Sequence, residues 1–464
     1  MEQVYLDHAA TTPPRAEVIA AMCASLQGQW GNPSSLYATG IRALEAVERA
    51  RERVAAVLGA RAEEIVFTAS GTEADNHALV GATIAGEGRG DHIVTSAIEH
   101  HAIEHTAEFL ERRGVRVTYL PVDSTGLVDP DAVRRAITDR TLLVSIMHAN
   151  NEVGTLQPIA EIGAICRKRG VLFHTDAVQT FGHVPINVTE MRIDLLSLAA
   201  HKLYGPKGVG ALFVRTGVKL EPYLHGGGQE LGRRASTENT PGIVGLGEAA
   251  RLAGAEMTQE SAHVSALRDR VISGVLANVP EVALTGHPTR RLPNNASFAI
   301  RGTEGQALVL ELDSEGFAVS SGSACSSGSY RPSHVLLALG LPPEAARGVV
   351  AGKRGSRYHP GAGGAVPGSA AVGSRARSED LGNEDLMTKR APHLTIDLRG
   401  TPCPLNWVKT KLRLEGMEVG QWLEIVVDDG NPAKNVPRSA EEEGHRVVEV
   451  SPTAEGVRVV IEKG

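Results

Sequence analysis

Cysteine, aromatic residues and long apolar runs are all scarce in this chain. Cysteine occurs four times in 464 residues, at Cys23, Cys166, Cys325 and Cys403, with no two at a metal-ligand spacing. That argues against a zinc framework and a disulfide scaffold, and it points to a reducing compartment, the cytoplasm. No apolar run approaches the ~20 residues that a membrane helix needs, and the opening Met1-Glu2-Gln3-Val4 lacks the positive stretch and apolar core of a secretory leader. A soluble protein is expected, with no membrane as partner. A surplus of positive charge is missing too: 47 Lys and Arg stand against 54 Asp and Glu. With no basic block on a helical face, nothing concentrates nucleic acid, and direct nucleic-acid binding is not expected. Aromatics make up 4% of the chain while 51 residues are glycine, about 11% against the ~7% usual in globular chains. The 42% hydrophobic content is enough for a large core and for more than one domain.

From about residue 40 to 350, short apolar runs alternate with longer amphipathic stretches. Ile65-Val66-Phe67-Thr68 precedes a helical pattern over 73–85, His92-Ile93-Val94-Thr95 one over 101–112, and Val115 to Tyr119 one over 129–138. Thr141 to Ile146 leads to 158–168, and Val171 to His174 and Leu195 to Leu198 follow. Strand and helix alternating at this length predict an α/β fold with a mostly parallel sheet covered on both faces. Ligands of such sheets sit beyond the carboxyl ends of the strands. Ser70-Gly71-Thr72, His100, Asn150-Asn151, Asp176 and His201-Lys202 all fall there, so five polar clusters are expected to converge. Between about 350 and 390 the sequence becomes Gly/Ala/Arg-rich without periodicity and reads as a linker or a disrupted segment. From 392 a small β-α-β-α-β-β unit follows, expected to be an independent two-layer domain.

Three places in the local sequence carry the chemistry. Ser70-Gly71-Thr72-Glu73 opens a helix after a strand, which suits a phosphate on free backbone N–H groups, although such residues are also ordinary helix caps. Asp176 alone reads equally as a cap. The run Ser320-Ser321-Gly322-Ser323-Ala324-Cys325-Ser326-Ser327-Gly328 surrounds a thiol with small residues, the composition expected around a nucleophile that must travel.

Taken in order, these motifs over residues 4 to about 348 resemble the cysteine desulfurases of the NifS/IscS type, pyridoxal-phosphate enzymes of the class V aminotransferase-like fold with a small lobe. The resemblance implies that His201-Lys202-Leu203-Tyr204-Gly205-Pro206-Lys207-Gly208 is the cofactor-lysine segment, with Lys202 catalytic and His201 beside it. It implies that Asp176 faces the pyridine nitrogen and Gln179, three residues on along the same helical side, the phenolic oxygen. Gly71 and Thr72 then bind the phosphate, His100 stacks on the ring and relays protons, and Asn151 contacts cofactor and substrate. The Gly226–Asn239 stretch would reach the neighbouring subunit, with Thr237 on its phosphate, which implies a homodimer. Cys325 would take sulfur from L-cysteine as a persulfide and release alanine.

Residues 392–464 resemble the TusA/SirA-like sulfur carriers, with Cys403 in Asp397-Leu398-Arg399-Gly400-Thr401-Pro402-Cys403-Pro404-Leu405 as the acceptor thiol. The family's second proline is Asn406 here. The implied domains are 1–348, 349–391 and 392–464, with sulfur passing from Cys325 to Cys403 and on to an acceptor protein. That acceptor is not identified; tRNA thiolation, iron–sulfur cluster assembly and molybdenum-cofactor synthesis remain open. Two departures stand out. Ala199 occupies the place of a phosphate-binding Ser or Thr, and the Ser-x-Arg-x-Ser-x-Gly segment whose arginine holds the substrate carboxylate is missing after Pro343. Arg354 and Arg357 are the candidate replacements. A locally shifted reading frame would leave such a change. The alternatives are a selenocysteine lyase or related enzyme of the same fold, and a catalytically impaired sulfur-transfer or scaffold protein.

Overall fold

The computed structural model describes residues 3–321, 332–342, 349–353, 392–401, 405–453 and 455–464. They form two compact units, the second beginning at residue 392. Cys325, Arg354, Arg357 and Cys403, singled out by the sequence, lie outside the described residues.

The first unit begins with β1 (Val4–Tyr5), α1 (Ala16–Gly28) and α2 (Ala38–Leu58). There follow β2 (Ile65–Thr68), α3 (Gly71–Ala85), β3 (His92–Ser96), α4 (His101–Glu111), β4 (Arg116–Leu120) and α5 (Pro130–Ala136). β5 (Thr141–Ser145), α6 (Ile159–Arg169), β6 (Leu172–Asp176), β7 (Leu195–Ala199) and β8 (Gly210–Val214) complete a seven-stranded sheet of order β2-β8-β7-β6-β5-β3-β4. All pairings are parallel except those of β8, which runs antiparallel to both its neighbours. Every residue of β2, β3, β5, β7 and β8 is buried, because helices cover both faces; this is why these strands read as mostly apolar runs rather than as strict apolar–polar alternation. The carboxyl ends of β2, β3, β5, β6 and β7 therefore share one edge.

α7 (Thr240–Asn278) spans 39 residues. Asn239 caps it, its Oδ1 accepting from Gly242 N–H at 3.2 Å, and Pro241 sits in the first turn, where its missing N–H costs nothing. Gly247 lets α7 approach α2: a Cβ there would meet Ala50 Cα at 2.6 Å. β9 (Val282–Leu284), β10 (Asn295–Ile300), α8 (Gly305–Ser314), β11 (Phe317–Ala318), β12 (Ser320–Ser321), α9 (His334–Ala338) and β13 (Val349–Lys353) form the small lobe. Its sheet has the order β12-β13-β10-β9, with every pairing antiparallel. The stretch read as linker from 349 thus opens with a strand lying between two others, so the sheet continues past 348.

The second unit contains β14 (Leu394–Asp397), the helix Leu405–Glu415, β15 (Trp422–Val427), the helix Asn431–Glu442, β16 (Arg446–Thr453) and β17 (Gly456–Glu462). Strand order is β14-β15-β17-β16, with only the first pair parallel. β15 alternates strictly, burying Leu423, Ile425 and Val427 in the same apolar cluster as Trp407, Leu414, Val436 and Ala440. A period of two on one sheet face and helices on that face make the expected two-layer domain. Asn406, where a proline was expected, is fully buried; its Oδ1 accepts from Trp407 N–H at 2.8 Å and its carbonyl accepts from Thr410 Oγ1 at 2.7 Å. An asparagine thus uses hydrogen bonds, where proline would use a fixed φ, to organise the first helical turn.

Candidate active site

The loops after β2, β3, β6 and β7 bring the expected residues to one edge. α3 starts beyond β2, with Ser70 as N-cap accepting from Glu73 N–H at 3.0 Å. The N–H groups of Gly71 and Thr72 precede the first intrahelical bonds and point out of the helix end. Gly71 is required by crowding: a Cβ would meet Val178 Cγ2 at 2.7 Å and Ala199 Cβ at 3.4 Å. The helix start therefore lies against the loops that follow both Asp176 and Ala199. The Ala199 side chain is buried there and supplies a methyl group where a hydroxyl was expected.

Lys202 ends a short 3-10 turn, Ala200–Lys202, directly after β7. Its Nζ donates to the carbonyls of Ala9 and Ala10, the latter at 2.9 Å. The Ala9 carbonyl also accepts from Gln179 Nε2 at 3.1 Å, so one carbonyl joins Lys202 and Gln179. Asp176 ends β6, and its Oδ1 accepts from Val178 N–H at 2.8 Å. That local bond shapes residues 177–183 into successive turns, not the helix expected from the spacing of Asp176 and Gln179. Gln179 reaches the site all the same. His201 is held by Thr11, whose Oγ1 lies 3.1 Å from His201 Nδ1, and its carbonyl accepts from Thr12 Oγ1 at 2.9 Å.

His100 caps α4, its Nδ1 accepting from Ala102 N–H at 3.1 Å. A ring nitrogen that accepts leaves the proton on Nε2 of a neutral imidazole. Burial, with Lys202 nearby, pushes His100 down to about 4. Beneath the site lies a buried polar network. His174 is fully buried, with Nδ1 2.8 Å from Ser145 Oγ and Nε2 3.0 Å from Ser197 Oγ, and burial pushes it down to about 3. Burial and the charge of Asp176 push Asp75 well above the carboxylate range. Burial raises Asp176 as well, while Val178 N–H and Lys202 pull it back. Asp176 has the support of Val178 N–H and Lys202, whereas Asp75 faces the charge of Asp176, so the neutral form is favoured more strongly at Asp75.

Asn150 is buried and structural: Nδ2 donates to Ile98 O at 2.9 Å, and Oδ1 accepts from Glu152 and Val153 N–H. Asn151 is half-buried beside it. Thr237 is exposed and is not brought to these residues. Its segment is tied down by the buried Arg51–Glu230 ion pair at 2.6 Å and by Arg234–Glu73 at 2.8 Å, and Ser236 adopts φ 95°. The loop Asp7–Thr12, which supplies Ala9, Ala10, Thr11 and Thr12, escaped sequence reasoning. Its only signal is a polar run, Asp7-His8-Ala9-Ala10-Thr11-Thr12-Pro13, directly after β1.

Glu99 is buried against the site. Burial pushes its carboxyl up to about 8, although Ser96 Oγ donates at 2.5 Å and Met147 N–H at 3.1 Å. A carboxyl raised in the fold from an ordinary 4.5 favours the folded state fully below 4.5, and that contribution is lost as pH rises through 8. Glu99→Gln, which mimics the neutral acid, is expected to gain thermal stability relative to the parent as pH rises from 5 to 9. A melting-temperature difference that stays flat over that range contradicts a neutral Glu99.

The residues fit pyridoxal phosphate. A helix end lies against Val178 and Ala199, and a buried carboxylate that accepts from Val178 N–H is placed to pair with a ring cation. A lysine amine and an amide stand across one carbonyl from each other, and a neutral imidazole flanks them. Comparison with known proteins agrees. The Aminotransferase class-V family matches residues 4–350 and the Sulfurtransferase TusA family residues 394–463. The chain belongs to the class-V aminotransferase family. A cysteine desulfurase IscS of Clostridium botulinum is 54% identical over 349 residues, 75% of this chain and 88% of its own length. A cysteine desulfurase IscS of Methanosarcina thermophila is 53% identical, covering 74% and 85%. Among solved structures, a NifS-like protein superposes with a TM-score of 0.72 at 37% identity, covering 77% of this chain and 95% of its own. SspA in complex with cysteine superposes at 0.66 with 37% identity, covering 75% and 98%. Class-V enzymes of this kind depend on pyridoxal phosphate. A desulfurase domain followed by a TusA-like domain is therefore the architecture of this chain, and among the described residues no helix is long and apolar enough to cross a membrane.

Proposed function

We propose that the chain converts L-cysteine to L-alanine, stores the sulfur as a persulfide on Cys325 and passes it to Cys403 for delivery to an acceptor protein in a reducing cytoplasm. The observation that carries this reading is the shared Ala9 carbonyl, which sets Lys202 and Gln179 together next to Asp176 and the start of α3. Pyridoxal phosphate held there supplies an electron sink that acidifies the substrate α-carbon.

Asp176 would keep the ring nitrogen protonated, Gln179 would donate to the phenolic oxygen, and Gly71 and Thr72 would hold the phosphate by N–H and hydroxyl. Lys202 Nζ takes the α-proton and His100, neutral with its proton on Nε2, delivers one. Asn151 and His201 border the cofactor. The Cys325 thiolate forms the S–S bond as the substrate C–S bond breaks; that bond's electron pair returns to carbon, which is protonated to alanine. Thr237, exposed on its own chain, fits a role on the phosphate of a partner subunit in a homodimer. The domain limits that accompany this reading are 1–353, a following segment to 391, and 392–464; β13 pairs with β10 and β12, so the first limit moves from 348 to 353.

The deciding experiment is an absorbance spectrum of the purified chain before and after L-cysteine, with alanine quantified. Alanine without added reductant, rising toward about two equivalents per chain as Cys325 and then Cys403 take up sulfur, supports the reading. Bound cofactor without alanine overturns it in favour of an impaired scaffold, and strict dependence on selenocysteine assigns a lyase. Ala199→Ser should restore the missing hydroxyl. A hydrogen bond to a charged group contributes about 1.5–3 kcal/mol, so cofactor loss on dilution is expected to slow by about tenfold or more. Unchanged release would mean that the phosphate lies elsewhere.

A further inference from the structure

We propose that His101, Glu104 and His334 form a site for a late first-row divalent metal ion, zinc above all, on the rim of the candidate active site. His101 and Glu104 occupy the first turn of α4 at a spacing of three, on one helix face; His334 opens α9, 230 residues on. His101 Nδ1 lies 2.8 Å from Glu104 Oε2, and His334 Nε2 lies 3.8 Å from the same oxygen. All three ligand atoms fall within 4.8 Å of one another. Zinc bonds of about 2.0–2.2 Å to nitrogen and oxygen set ligand-to-ligand separations of roughly 3.3–3.5 Å in a tetrahedron. The two measured separations bracket that value, and small side-chain rotations close the third.

The surroundings suit an ion. The three side chains are 32, 28 and 29% exposed, partly desolvated and still open to solvent. His105 stacks on His101 with centroids 4.9 Å apart and planes at 14°, and His334 lies 4.9 Å from His101, so the rings are positioned before an ion arrives. His334 Nε2 now lies 2.9 Å from the Glu99 carbonyl; metal at Nε2 moves the ring proton to Nδ1. Two imidazoles and one carboxylate select zinc, cobalt, nickel or copper over magnesium and calcium, and leave a fourth position for water or a thiolate. Of the three, His101 also lines a cavity of about 550 Å³ together with Thr72 and His100, which places the site beside the candidate active site. An ion there would cross-link α4 and α9.

The test reads metal, not turnover, so it stands apart from the desulfurase assignment. The untagged full chain carrying Cys23→Ser, Cys325→Ser and Cys403→Ser, in which those thiols cannot contribute, is titrated with Zn²⁺ by calorimetry and with Co²⁺ by visible absorbance. The expected result is one saturable ion per chain, a Co²⁺ ligand-field band of a four- or five-coordinate site, and affinity weakened at least about tenfold by each of Glu104→Gln, His101→Asn and His334→Gln. Melting curves of the metal-free variants matching the parent show that the fold is kept, and a variant that melts early is replaced by Glu104→Ala. No saturable binding, or affinity unchanged in Glu104→Gln, overturns the site.

Discussion

Lys202→Ala is expected to stop alanine release from L-cysteine, with turnover falling by about 10³-fold or more, because in the proposed reading one substitution removes both the amine that would hold the cofactor and the base that would move the α-proton. The purified variant should also lose its bound cofactor on gel filtration, whereas the parent keeps it. A purely structural role makes a different prediction. Lys202 Nζ donates to the Ala9 and Ala10 carbonyls, so if the lysine served only to pin that loop, the cofactor-free variant would melt several degrees below the cofactor-free parent. The Ala9 carbonyl keeps Gln179 as a donor, and Tyr5 OH, 2.9 Å from the carbonyls of Asp7 and Thr11, holds the loop independently. Near-equal melting of the two cofactor-free proteins together with lost activity is therefore the expected pair of results. Retained turnover would remove Lys202 from the chemistry altogether.

The sequence shows the site wherever local pattern determines structure, and hides it wherever distant segments meet. Ile65–Thr68, His92–Ser96 and Leu195–Ala199 are legible as strands because both of their faces are buried, so apolar residues occupy adjacent positions and no charged Asp, Glu, Lys or Arg interrupts the run. The polar residues at their carboxyl ends follow from the parallel sheet alone. By contrast, the antiparallel course of β8 has no signature of its own, since a strand buried on both sides reads the same in either direction. The turn at 177–183 replaced an expected helix because the Asp176 carboxylate accepts from Val178 N–H, a local competitor that periodicity does not register. Thr12 and His201 touch across 189 residues, and His101 and His334 across more than 230. No spacing rule reaches that far. Val349–Lys353 is masked for a different reason: five residues ending in Gly-Lys, next to a Gly/Ala/Arg-rich stretch, look like the start of a linker until β10 and β12 are seen to pair with them.

Cys325→Ser and Cys403→Ser are expected to separate the two halves of the reaction. Cys325→Ser should bring alanine formation to background, because no other thiol is assigned to attack the substrate sulfur, and ³⁵S from labelled cysteine should appear on neither position. Cys403→Ser should leave the first turnover intact, with one equivalent of alanine and label confined to Cys325. Later turnovers then wait on an added reductant, which releases the sulfur that Cys403 would have taken. The balance is simple: the Cys403 thiolate attacks the terminal persulfide sulfur, one S–S bond forms as another breaks, and Cys325 leaves as the thiolate. Transfer within one molecule or one dimer has a kinetic signature. A tethered acceptor meets its donor at an effective concentration up to about millimolar, whatever the protein concentration, so the rate at which label reaches Cys403 should hold constant over a hundredfold dilution. A rate that falls in proportion to dilution would mean that the two domains work on separate partners. In that case their fusion would serve co-production of the two domains, and sulfur would not pass between them within one assembly.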